Sequence, residues 1–110
     1  MSAAAPFVTN LRTHGASVDL SAGAVDTFVI RGQVHEAWDA VRVVVTDSTR
    51  VLDVKQASLH ALIGADSDAS LYMVKIHGHE VLDESQLLRD AGVRAGTTVF
   101  VHSRRRRPIR

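Results

Sequence analysis

The sequence contains no cysteine. Disulfides, thiolate metal sites and thiol nucleophiles are therefore excluded, and the chain is indifferent to the redox state of its compartment. Aromatic residues are scarce, limited to Phe7, Phe28, Trp38, Tyr72 and Phe100. Any core must be assembled mainly from valine, leucine and alanine. No stretch approaches the roughly 18 consecutive apolar residues that would span a bilayer, so no membrane insertion is expected. The opening "MSAAAPFVTNLRTHG" has neither a basic leader nor a sustained apolar segment, which argues against a secretory signal and makes the cytoplasm the expected location. A nucleophile with a supporting base is also missing. "SDAS" has loop composition, Asp83 and Glu84 are adjacent rather than facing, and the glycines do not form a phosphate loop. Neither enzymatic activity nor a cofactor is expected.

What the chain does have is a divided charge. Its 110 residues, enough for one domain with a modest core, carry a formal net charge of +1. Residues 1–25 hold Arg12 against Asp19. From residue 26 to residue 103 seven Lys/Arg face eleven Asp/Glu, a net of −4, and residues 104–110 hold five arginines and no acid, a net of +5. An acidic body thus carries a basic tail, a pattern that bears on partners rather than on fold.

Periodicity places the elements. Residues 1–25, rich in Ala, Ser, Gly and Thr, show no sustained period and are expected to form a flexible arm, although "FVTNL" and "SVDL" could each add a short strand. "TFVIRG" and "AVRVVV" read as a β-hairpin with a longer loop containing Trp38. In "TDSTRVLDVKQASLHALIG", Asp47 or Ser48 is expected to cap a helix. Val51, Val54, Ala57/Ser58 and Ala61/Leu62 recur at helical spacing, and Gly64 ends it. "LYMVKIHG" alternates into a third strand and "HEVLD" into a short one. "ESQLLRDAGV" reads as a helical turn closed by Gly92, and "TTVFVHS" as a final strand with Val99 and Val101 on one face and Thr98, Phe100 and His102 on the other. The order is ββαββ, which is α+β: a β-grasp, a mixed sheet with one helix packed across it. Val51, Val54 and Leu62 are expected to face Phe28, Ile30, Val43, Val45, Val74, Ile76 and Val99, each burial worth roughly 1.5–3 kcal/mol before conformational entropy is counted.

At this point the residues resemble a known family. Residues 26–103 look like ubiquitin and its relatives. "RVLDVKQASL" resembles the family's helix with its Val-Lys pair at Val54-Lys55, "VKIHGHEVLDE" its strand, glycine turn and Leu-x-Asp segment, and "LLRDAGVRAGTTVFV" its Gly-Val-x-x-Gly-x-Thr ending. One extra residue is needed between Val81 and Val93. The resemblance implies either covalent attachment through a C-terminal Gly-Gly or non-covalent recognition through the exposed face of the sheet. Where the family carries the glycine pair, this chain has "RRRRPIR". The last glycine is Gly96, and cleavage there would remove the final strand, so trimming could not expose a conjugation terminus without unfolding the domain. The chain resembles in this respect the small ubiquitin-like proteins associated with bacterial type VII secretion, and its alanine, valine, arginine and aspartate usage points to a bacterial source.

The expected function is accordingly a non-covalent protein-interaction module, a component of a secretion or other assembly. The alternatives are a modifier with unusual C-terminal processing and a polyanion binder. The family's central isoleucine aligns with either Ile76 or Lys75, and the last strand offers Phe100 and His102, so these four residues are the expected protein-binding set. Ile76 as core and Phe100 as one scattered aromatic is the other reading. Arg104, Arg105, Arg106 and Arg107 form a solvated end, a sequence-indifferent phosphate or nucleic-acid contact, or a dock for an acidic patch on this body or on a partner. "HGHE" (His77, Gly78, His79, Glu80) is read as a polar turn rather than a metal site. Oligomeric state stays open, since an exposed edge strand could pair with itself.

Overall fold

Valine alternating with polar side chains builds the longest pair of strands. In the computed structural model, which describes residues 17–104, β2 (Phe28–Val34) and β3 (Asp39–Val45) run antiparallel, with Phe28 opposite Val45 and Val34 opposite Asp39. Their connection is tighter than the loop expected: one 3-10 turn at His35–Ala37, then Trp38 in the left-handed region at φ 55°. Before them, β1 (Ser17–Asp19) pairs in parallel with β3. The sheet thus takes in the "SVD" of the stretch read as an arm. The "FVTNL" segment lies outside the described residues, as do Arg105, Arg106 and Arg107.

The helix α1 spans Val51–Leu62 and buries Val51, Val54, Lys55, Ser58 and Leu59. Leu59 takes the deep position expected of Leu62, which is only half-buried at the last turn. Neither Asp47 nor Ser48 caps the helix. Arg50 holds the cap position, and its N–H donates to the Asp53 carboxylate at 3.3 Å. The open amides of the first turn are satisfied from a distant segment, Val51 N–H by the Gln86 carbonyl at 3.0 Å and Leu52 N–H by that of Glu84 at 2.8 Å. In return Leu88 N–H donates to the Thr49 carbonyl at 2.7 Å. Residues 84–93 form a series of turns instead of the helical turn expected: the Glu84 and Gln86 carbonyls serve α1, while those of Leu87, Leu88 and Arg89 accept from the amides of Asp90, Ala91, Gly92 and Val93.

The remaining strands are β4 (Tyr72–Ile76), β5 (His79–Glu80) and β6 (Thr98–Ser103). His77 at φ 53° and Gly78 at φ 82° make the two-residue turn between β4 and β5, the geometry whose twist suits a hairpin. The His77 ring lies 3.1 Å from the Gly92 carbonyl, so it ties this turn to the loop before β6. β6 pairs antiparallel with β4 and parallel with β2, giving one six-stranded mixed sheet in the order β1-β3-β2-β6-β4-β5.

One face of this sheet is covered by α1. Ile30, Val34, Val41, Val43, Val45, Val74, Ile76, Val99 and Val101 point into the core, with Leu88 closing one side. The helix meets β2 at Gly32, where a Cβ would overlap the Ser58 hydroxyl. Ser58 itself donates back to the Val54 carbonyl at 2.8 Å. Lys55 is 2 % exposed, and its ammonium reaches the Glu84 carboxylate at 2.8 and 3.1 Å. A charge so deeply placed persists only because it is paired. Three loops share another device: Asp19, Asp68 and Asp83 each accept from the backbone N–H and hydroxyl of the serine two residues on. These bonds favour the ionised form and hold all three carboxyls below the usual aspartate range.

Candidate functional site

The side chains that alternate away from α1 form the outer face of the sheet, and no element among the described residues covers it. On β6 these are Thr98, Phe100 and His102. Phe100 stands opposite Lys75 of β4 and Gln33 of β2, and His102 opposite Met73. Lys75, Phe100 and His102 therefore share one face, with Phe100 41 % exposed near its middle. Ile76 does not belong with them. It is 3 % exposed and packs in the core with Val74 and Val99, because the period of a strand sends neighbours to opposite faces and Lys75 takes the outward position. The alignment that placed Lys75 at the centre is the one the register supports.

A residue outside the expected set extends this face. Trp38, at the end of the β2–β3 connection, is 85 % exposed, and its ring centroid lies 5.8 Å from that of His35. His35 in turn lies 6.5 Å from His102 in an edge-on arrangement. A chain of three rings thus runs from the tip of the hairpin to the end of β6, next to Phe100. The only signal for it in the sequence is a bulky aromatic inside the otherwise polar "QVHEAWD". The same end is fastened by Glu36, whose carboxylate accepts the Ser103 N–H at 3.0 Å.

Arg104 lies apart from the rings, on the β4–β5 side. Its guanidinium donates to the Tyr72 carbonyl at 3.2 Å and the Ser70 carbonyl at 3.4 Å. It also approaches Glu80 at 3.4 Å and Glu84 at 3.8 Å. For this one arginine, the acidic patch contacted is on its own body. His77 and His79 occupy the β4–β5 hairpin as the sequence suggests, and no group of three or more potential metal ligands gathers among the described residues.

A mixed sheet of this order, crossed by one helix, defines a β-grasp domain. Comparison with solved structures narrows it to the ubiquitin-like form. The chain is similar to the ubiquitin-like domain of an Arabidopsis thaliana protein (TM-score 0.62, 15% identity, covering 83% of this chain and 92% of that one). It is similar to the ubiquitin of Caldiarchaeum subterraneum (TM-score 0.59, 14% identity, 72% and 95%). A third likeness is to the C-terminal ubiquitin-like domain of mouse tubulin-specific chaperone e (TM-score 0.59, 18% identity, 80% and 98%). No family model and no curated protein matches the sequence. The fold is shared with these proteins at sequence identities that carry no role across.

Proposed function

We propose that this chain is a non-covalent protein-interaction module of the ubiquitin-like class, a component of a larger assembly, and that it acts by binding rather than catalysis. Its docking face is the outer surface of the sheet, with Phe100 at the centre, Lys75 and His102 beside it, and Trp38 at the rim.

The observation that supports this most is Trp38. An indole 85 % exposed buries little against its own fold, and a bulky residue at φ 55° occupies backbone space that L residues avoid. Beyond its contact with His35, the side chain at that place adds little to the domain. A partner would gain a large rigid aromatic, the residue type that most often dominates the energetics of protein interfaces.

Site-specific photo-crosslinking in the source cells tests the proposal. A benzophenone side chain at position 100 is expected to give a discrete protein adduct, and the same group at Gln56, exposed on α1, is expected to give none. Equal labelling from both positions, or no adduct at position 100, would sink the reading. Intact-mass analysis of the untagged protein checks the rival: a ladder of species linked through the C-terminus would mean a covalent modifier.

A further inference from the structure

Two arginines on the outer face have no ion-pair partner among the described residues. Arg31 of β2 and Arg42 of β3 stand directly opposite each other in the antiparallel register. Both are exposed, and both point away from the helix, since Ile30, Val41 and Val43 beside them point into the core. Like charges in directly opposed positions weaken a strand pair. No carboxylate relieves them: the ion pairs among the described residues are Lys55–Glu84 and those of Arg104 with Glu80 and Glu84. Of the acids that the register puts on this face, Asp19 is held by Ser21 and Glu80 by Arg104.

The neighbours complete the pattern. Across four strands one row reads Ser17, Arg42, Arg31, Thr98. All four side chains can donate hydrogen bonds and none is acidic. The adjacent row on the same face holds Phe100, flanked by Gln33 and Lys75. A net charge of −4 over residues 26–103 makes this basic face the exception on its own body.

We infer that Arg31 and Arg42 are the anchoring pair for an acidic protein segment, whose carboxylates are gripped by the two guanidinium forks while an apolar side chain of the same segment rests on Phe100. This rests on the reading of the outer face as the docking face and adds the chemistry of what docks there. The planar fork of arginine matches a carboxylate in two-point contact. A basic face on an acidic body steers an acidic partner to this side and away from the rest. A nucleic acid is favoured less, because its continuous backbone would have to run out over the acidic rim, whereas an extended peptide needs only the width of the sheet.

The test is a titration of the 15N-labelled full chain with a twelve-residue peptide in which glutamate alternates with leucine. The largest shifts are expected at the amides and side-chain Nε–H of Arg31 and Arg42, and at Thr98 and Phe100. R31Q/R42Q is expected to weaken binding at least tenfold without lowering the melting temperature, since removing opposed charges should not harm the sheet. R31K/R42K, which keeps charge but loses the fork, is expected to lie between the two. Shifts confined to Arg104–Arg107, R31Q/R42Q binding within twofold of the parent, or an oligonucleotide of equal charge binding this face more tightly than the peptide would each overturn the inference. A cross-link at position 100 in cells combined with any of those results would leave the docking face standing and remove only the carboxylate chemistry.

Discussion

The two faces of the sheet are built from the same strands and obey opposite rules. On the helix side the buried polar side chains of α1 have partners close by: Ser58 bonds to the Val54 carbonyl, and Lys55 lies against Glu84. Gly32 makes room for the helix where a side chain would collide. On the outer side an indole stands in solvent, two arginines oppose each other, and a phenylalanine is half uncovered. The first face reads as stability. The second holds opposed charges and exposed rings that add little to the fold, so substitutions should have opposite consequences on the two sides.

The largest effect is expected at the buried ion pair. Lys55→Ala leaves Glu84 without its closest counter-charge and should cost about 3–5 kcal/mol, measured by urea unfolding. A loss under 1 kcal/mol would mean that water or Arg104 compensates Glu84, and the helix side would be less closed than described. Next, Gly32→Ala forces α1 away from β2 and should cost about 1–3 kcal/mol. Adding Ser58→Ala removes the overlapping hydroxyl and should recover part of that loss, a coupling that a double-mutant cycle reads directly. On the outer face, Trp38→Ala and Phe100→Ala should each change stability by no more than about 0.5 kcal/mol, and Trp38→Ala should weaken the adduct formed from a benzophenone at position 100. A cost of several kcal/mol at either position would make these residues structural and dissolve the contrast between the faces.

The smallest effect is expected at the three aspartates held by serines. Asp19, Asp68 and Asp83 have carboxyls depressed by their serine partners, so their contribution is present above the unfolded value of about 3.9 and is lost as pH falls through the lower folded values. Thermal unfolding should show a parent that loses stability below about pH 4, and an Asp68→Asn variant that loses slightly less over that range. Identical profiles would mean that this turn adds nothing to the fold.

What could be read in the sequence follows from how local each cause is. Strand alternation is local, so "AVRVVV" and "TTVFVHS" announce their inward and outward residues, and Phe100 and His102 fall on the face expected. The start of α1 is not local. Its amides are served by carbonyls more than thirty residues away, which no capping rule applied to "TDST" could detect. Nor could it show that the Glu84 and Gln86 carbonyls would be turned toward α1. Ile76 was read both as core and as part of the binding face for a third reason. The extra residue between Val81 and Val93 left two alignments open, and a shift of one position in a strand exchanges core for surface. Trp38 escaped because hairpin geometry, not periodicity, put it next to His35 and the end of β6. The pairing of Arg31 with Arg42 needed the register itself, since the two are eleven positions apart in the chain.

The short strands at the two margins of the sheet have a consequence for how these molecules behave when crowded. β1 contributes three residues and β5 two, the latter ending in Glu80, so among the described residues neither margin offers a long run of free amides and carbonyls on which a neighbour could template itself. Among the described residues, growth into ribbons or fibres by sheet extension has little to start from. Many copies could therefore be held side by side at high local concentration, each presenting a flat face outward, without zipping together along their edges.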